Sequence, residues 1–144
     1  MPVKIVWSIE GEAQLVRRLR GLGDNVKDFK PELTKSSKFL KSFFGGEVFD
    51  TRGRAIGEPW KKRKKFYPWP ILERTGKMRR SFTFRAEKMF AVVWNARTYF
   101  KFHQSRLPRY RLPRRRMMRL VNRIKNEIVQ IFHKGLWQRV NKRY

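Results

Sequence analysis

The sequence predicts an α+β domain in which a small antiparallel sheet carries two N-terminal helices and a long C-terminal helix, with long basic loops between them. Three segments alternate apolar and polar side chains with the period of a strand. Others repeat apolar residues at three and four positions, as amphipathic helices do. A length of 144 residues suits a single domain, 1–144, with one hydrophobic core.

The N-terminal half predicts one strand and two helices. The strand VKIVWSI has an apolar face of alternate residues: Val3, Ile5, Trp7 and Ile9. The segment 11–23 (GEAQLVRRLRGLG) places its apolar residues on one helical stripe and ends in glycines. A second helix begins near Asp28, tolerates Pro31 in its first turn, and is expected to stop at Gly45 and Gly46.

The C-terminal half predicts a hairpin between two basic loops, followed by a helix. Residues 47–70 are rich in glycine, proline and charge, which predicts a long basic loop, and 104–115 predicts a second. SFTFRA and FAVVWN form the hairpin, with this expected apolar face: Phe82, Phe84, Phe90, Val92 and Trp94. TYFKFHQ predicts a short helix or strand end. The last helix has one apolar stripe: Met117, Val121, Ile124, Ile128 and Ile131.

The positive charge is concentrated in one part of the chain. The net charge is +26, and residues 1–50 contribute nine basic and seven acidic side chains whereas residues 51–144 contribute 28 and four. Such an excess costs stability through self-repulsion unless an anion or a neighbouring subunit offsets it. We therefore expect the second part to face an anionic partner, of which nucleic acid is the commonest, ahead of an acidic protein surface or a membrane.

Several functional classes are disfavoured by composition. The chain has no cysteine, which excludes disulfides, Cys-based zinc sites and a Cys nucleophile. No apolar run approaches the ~18–20 residues of a membrane span, so we expect a soluble, intracellularly made protein. His103 and His133 have no metal-type spacing, the carboxylates are scattered rather than clustered for Mg²⁺, and no cofactor motif is present. We expect no enzyme, no metal and no cofactor, and a structural role for His103.

Two basic runs and the aromatics beside them are the candidate site. The cations expected to face DNA or a partner are Lys61, Lys62, Arg63, Lys64, Lys65, Arg109, Arg111, Arg114, Arg115 and Arg116. Trp60, Tyr67 and Trp69 flank the first run and are candidate interface aromatics. Such rings can stack on single-stranded bases, or anchor the loop to the body or to a neighbouring subunit. No sequence-reading motif is present, so DNA contact would be through its backbone.

The order of motifs resembles the phage virion-morphogenesis family of small tail-completion and head–tail joining proteins. GEPWKKRKK, ILERTGKMRRSF, a hairpin ending VVWNA, YFKFHQ and RLPRRRMMRL follow one another as the family's motifs do. The matching residues are Gly57, Trp60, Leu72, Thr75, Gly76, Met78, Ser81, Tyr99, His103, Gln104 and Pro113 to Leu120. The resemblance covers roughly residues 45–125.

The resemblance implies a non-enzymatic virion protein made in the host cytoplasm. Such proteins form a homo-oligomeric ring, with a hexamer favoured, at the head–tail junction or the tail terminus. The implied partners are portal or connector proteins and tail-tube or tail-terminator proteins, with possible contact to the backbone of packaged DNA and none to a membrane. The alternative is an independent, sequence-nonspecific nucleic-acid-binding protein, and a nuclease is the third hypothesis.

Overall fold

A three-stranded antiparallel sheet forms the centre of the fold, as predicted. The computed structural model describes residues 4–8, 28–104 and 113–141. The strands are β1 (Lys4–Ser8), β2 (Phe82–Ala86) and β3 (Phe90–Asn95), in the order β1-β3-β2. The helices are α1 (Lys30–Ser42), α2 (Val48–Asp50), α3 (Phe100–Gln104) and α4 (Asn122–Asn141). The α+β class is confirmed, whereas the helix predicted over 11–23 lies outside the described residues.

The hairpin of β2 and β3 has the expected position but a different apolar face. Phe84 lies opposite Val93, which is fully buried, and Phe82 lies opposite Asn95. The core face of β3 therefore carries Ala91, Val93 and Asn95, and the prediction of Phe90, Val92 and Trp94 for that face was wrong. The turn sets this register, because the Glu87 N–H donates to the Phe90 carbonyl oxygen at 2.8 Å and so pairs Ala86 with Ala91.

The predicted stop at Gly45 and Gly46 was also wrong, because the helical path continues through them. A π-helical turn (Phe43–Glu47) joins α1 to α2, and the Val48 N–H reaches back to the Phe43 carbonyl oxygen. Arg79 donates to the carbonyl oxygens of Gly45 at 2.7 Å and Gly46 at 3.4 Å, which supports this wide turn. A Cβ on Gly45 would lie 2.9 Å from the Arg79 carbonyl oxygen, so glycine permits the close approach.

The predicted loop 47–70 therefore begins later than expected. Its first residues belong to the π turn and α2, and a 3₁₀ turn (Arg54–Ile56) follows. Gly53 and Gly57 bracket that turn with φ of 83° and 72°. The segment without helix or strand that carries the basic run starts only after Gly57.

The core is a chain of aromatic rings between the helices and the sheet. Phe82 packs edge-on against Phe100 with ring centroids 5.5 Å apart, and it also contacts Phe49 at 6.4 Å. Phe49 in turn packs edge-on against Trp60 at 5.2 Å. This chain links β2, α2, α3 and the start of the basic loop, so the loop begins from a rigid position.

The last helix begins later than the apolar stripe predicted. Residues 113–121 have no regular secondary structure, although Met117 and Met118 are buried. Within α4, Ile124 is fully buried while Ile128 is only partly buried. Arg139 forms an ion pair with the buried carboxylate of Glu32 in α1, and Phe132 contacts Phe29, which fastens α4 to α1. None of the helices described is long and apolar enough to traverse a bilayer.

Candidate polyanion-binding site

Trp60 fixes the base of the basic loop in the core. Its side chain is 6% exposed, and its indole N–H donates to the Arg116 carbonyl oxygen at 2.7 Å. Its main-chain N–H donates to the Arg52 carbonyl oxygen at 2.8 Å. Gly53 makes room for it, since an added Cβ would lie 2.5 Å from the indole ring. The residue expected as an interface aromatic is therefore an anchor to its own chain.

The remaining loop, residues 61–74, is stiffened by a stack of rings and guanidinium groups. Tyr67 and Trp69 stack with centroids 5.1 Å apart and an interplanar angle of 26°. The Arg63 guanidinium lies 5.5 Å from the Tyr67 ring centre and the Arg74 guanidinium 5.2 Å from that of Trp69. Arg63 also donates to the Trp69 carbonyl oxygen at 2.7 Å, which closes the loop on itself.

The stack leaves one ring of the loop free. Both Tyr67 and Trp69 contact another ring and a guanidinium, whereas Phe66 is 91% exposed. Proteins that bind single strands without sequence preference stack successive bases on several aromatics. In this loop only Phe66 is largely uncovered, and Tyr67, at 41% exposed, already stacks on Trp69, so a continuous stacking surface of that kind is not present among these residues.

The second basic run is positioned by the His103-Gln104 pair at the end of α3. The Gln104 side-chain oxygen accepts from the main-chain N–H groups of Met117 at 2.9 Å and Met118 at 3.0 Å. Its side-chain nitrogen donates to the Met118 carbonyl oxygen at 2.6 Å. The His103 carbonyl oxygen accepts from the Arg115 N–H at 3.1 Å. These bonds hold residues 115–118, which have no regular secondary structure, against α3.

Arg115 joins the two basic segments. Its side chain is only 7% exposed, and its Nε donates to the Lys61 carbonyl oxygen at 2.9 Å. Arg114 donates more weakly, at 3.4 Å, to the Gln104 carbonyl oxygen. The structure thus brings Arg63, Arg114, Arg115 and the lysine run into one region, which the sequence did not predict.

Glu58 divides the arginines of the site into two groups. Its carboxylate accepts from Arg116 and Arg119, each at 3.4 Å, and Arg119 also donates to the Ile56 carbonyl oxygen at 3.1 Å. Arg116 is therefore charge-compensated within the chain. No described carboxylate forms an ion pair with the following cations of the two runs: Lys61, Lys62, Arg63, Lys64, Lys65, Arg114 and Arg115.

The four lysines of the run are exposed, Arg63 and Arg114 are half-buried, and Arg109 and Arg111 lie outside the described residues. The unpaired cations described here form what we call the basic surface: Lys61, Lys62, Arg63, Lys64, Lys65, Arg114 and Arg115. This surface can bind a polyanion by displacing the counterions of the polymer.

His103 has the environment of a structural residue. Burial lowers the pKa of its imidazole, and the positive charge of Arg115 lowers it further. Its Nδ1 is buried without a hydrogen-bond partner. Across the described ranges, no three His, Asp or Glu side chains are grouped closely enough to hold a metal ion.

Two residues of the site were missed by the sequence analysis as functional positions. Gln104 was named only as a motif residue, and Glu58 was counted only among the scattered carboxylates. One signal pointed to Gln104: a side-chain amide at the end of a helix can form hydrogen bonds with the main chain of a neighbouring segment. Glu58 gave no local signal, since its partners lie 58 and 61 residues further along the chain.

Comparisons of this chain with protein-family models, with curated proteins and with solved structures found no match. The family resemblance therefore rests on the sequence motifs alone.

Proposed function

We propose that this protein is a non-enzymatic structural component of a tailed bacteriophage, located in the neck or tail of the virion. In this role it forms a homo-oligomeric ring at the head–tail junction or tail terminus and presents the basic surface to a polyanion. The ring and its place in the virion come from the motif resemblance. The polyanion-facing role comes from the structure of the loop.

One observation carries the polyanion-facing role: the cations of the basic surface are unpaired, yet they are built on a rigid support. Trp60 and Arg115 fasten the loop to the rest of the chain and the Tyr67–Trp69 stack stiffens it, so its lysines are presented without the ordering cost of a flexible tail. Elsewhere in the described ranges, arginines such as Arg79, Arg123 and Arg139 pair with carboxylates. Concentrated unpaired charge on a stiff loop is typical of a surface that meets an anionic partner.

Size-exclusion chromatography with light scattering and negative-stain microscopy tests the ring. We expect a closed oligomer, formed by the chain alone or in the presence of connector or tail proteins. A stable monomer that binds one nucleic-acid sequence with nanomolar affinity would contradict the proposal and favour an independent nucleic-acid-binding protein.

A charge-removal variant tests the basic surface. Replacing Lys61, Lys62, Lys64 and Lys65 with Gln removes four exposed charges without breaking any ion pair described here. The matched control replaces four exposed lysines of α1, namely Lys30, Lys35, Lys38 and Lys41. We expect the loop variant, and not the control, to lose most of its affinity for polyanions and to have a shallower salt dependence. Equal losses in both variants would show that net charge matters and the loop does not.

A further inference from the structure

The side chain of Arg115 is largely buried, and no carboxylate of the described residues forms an ion pair with it. The residue is 7% exposed, and its Nε–H donates to the neutral carbonyl oxygen of Lys61 at 2.9 Å. Its two terminal nitrogens make no hydrogen bond with the part of the chain that is described. A buried charge is costly unless an opposite charge compensates it.

A second arginine adds to this imbalance. Arg63 is also held by a neutral carbonyl, that of Trp69 at 2.7 Å, and by the ring of Tyr67. Burial lowers the pKa of the Arg115 guanidinium, and the charge of Arg63 lowers it further. Arg115 donates to the carbonyl oxygen of Lys61, two residues before Arg63, so the two like charges lie near each other. The carbonyl oxygens that fix their positions do not neutralise them.

The carboxylates that flank the basic run in sequence are already paired. Glu58 pairs with Arg116 and Arg119, and Glu73 pairs with Arg79. No carboxylate of the described residues forms an ion pair with Arg63 or Arg115. The two guanidinium groups are therefore suited to an anion supplied by a binding partner.

We propose that Arg115 and Arg63 form a binding site for one phosphodiester group of a nucleic-acid backbone. Guanidinium groups held in fixed directions suit an oxyanion that accepts hydrogen bonds at two oxygens. Exposed lysines without carboxylate partners continue the site on both sides of Arg63, at 61–62 and 64–65. A polymer with one negative charge per repeat can follow such a loop, whereas a single partner carboxylate leaves the flanking lysines uncompensated.

This inference rests on the proposed polyanion-facing role and names the anion. Because the contact is to the backbone, it gives affinity and position on the strand without sequence preference. It also gives Arg115 a task that the lysines cannot perform, since a lysine offers a point charge rather than a planar fork.

Fluorescence anisotropy with a labelled 20-base-pair duplex tests the site, using Arg115→Lys and Arg63→Lys. Both variants keep the charge and lose the fork. The control is Arg85→Lys, an exposed arginine of β2 that pairs with Glu87. We expect Arg115→Lys to weaken duplex binding about tenfold and Arg63→Lys severalfold, with the salt slope nearly unchanged and the control unaffected. Losses no larger than that of Arg85→Lys would overturn the site and leave the wider polyanion-facing role intact.

Two further measurements separate a ligand role from a purely structural one. In a titration with dimethyl phosphate, the side-chain Nε–H resonances of Arg63 and Arg115 should shift while that of Arg85 stays in place. Unmoved resonances at both arginines would refute the proposal even if a variant fails to fold. Polyglutamate at matched charge should displace the labelled duplex less effectively than unlabelled duplex does. Equal displacement by the two competitors would assign the site to an acidic protein instead. Ring formation is measured separately, so its loss would bear on the proposed function alone.

Discussion

Replacing Gln104 with Met should destabilise the fold strongly, because one buried amide satisfies three main-chain groups. Methionine keeps the length and shape of the side chain but can neither donate nor accept as the amide does. The N–H groups of Met117 and Met118 and the carbonyl of Met118 would lose partners now at 2.9, 3.0 and 2.6 Å. Gln104 is 9% exposed, so water cannot readily replace them.

The expected loss follows from the cost of an unpaired buried group. Each orphaned donor or acceptor costs about 1–3 kcal/mol, and partial relaxation of residues 115–118 brings the sum toward the lower bound. We therefore expect a loss of about 3–5 kcal/mol in the free energy of unfolding. Because a domain has about 5–15 kcal/mol in total, this single amide is a substantial part of the stability.

Urea unfolding followed by far-ultraviolet circular dichroism measures the effect. The control is Gln138→Met, the same substitution at an exposed position of α4, which should change stability by less than about 0.5 kcal/mol. If Gln104→Met costs less than about 1 kcal/mol, residues 115–118 do not depend on the amide. The account of how the second basic run is positioned would then be wrong.

Three further predictions concern the core, a turn and pH. Ile124→Ala should cost about 2–5 kcal/mol in urea unfolding, and Ile128→Ala distinctly less, because only the former is fully buried; equal costs would refute this packing. Gly53→Ala should lower the melting temperature, because φ is 83° and the new Cβ would lie 2.3 Å from a carbonyl oxygen. Gly46→Ala has open space in a helical turn and should be neutral or stabilising by up to about 1 kcal/mol. A larger loss of stability for Gly46→Ala than for Gly53→Ala would contradict these geometries. The folded-state pKa of His103 lies below its unfolded value near 6.5. The contribution of His103 to stability should therefore be full above the unfolded pKa and should fall as the pH drops toward the folded pKa. Unfolding free energies at pH 7.5 and 5.5 measure this difference, and His103→Gln should remove that part of the pH dependence.

The hairpin shows how far alternation can predict a face. The strands were found from their period-two pattern, and both ends of β2 and β3 lie close to where the pattern placed them. The wrong face followed from β3, where apolar residues occupy both sides: Phe90, Ala91, Val92, Val93 and Trp94. A pattern without polar alternation cannot choose a face, and the turn hydrogen bond between Glu87 and Phe90 chose it.

The helix ends were misjudged for a related reason. Gly45 and Gly46 have weak local helix propensity, yet Arg79, 33 and 34 residues away, stabilises the turn by donating to their carbonyl oxygens. The apolar spacing of Met117 and Val121 suits a helix equally well, but the carbonyl oxygens of Arg116 and Met118 accept from the Trp60 indole and the Gln104 amide rather than from N–H groups four residues further along. Tertiary hydrogen bonds overruled local propensity at both ends.

The sequence by itself determined the class of the fold, the positions of its strands and longer helices, and the excess of positive charge in residues 51–144. These depend on local periodicity and composition, which a chain carries before it folds. Only the tertiary structure decided which cations remain unpaired. Glu58 forms ion pairs with Arg116 and Arg119 across some sixty residues of chain, whereas Arg63 and Arg115 donate to carbonyl oxygens and form no ion pair with the described carboxylates. Charge compensation depends on distance in space rather than in sequence. Ion pairs formed in the folded chain therefore leave only some of the cations of the basic sequence available for a partner.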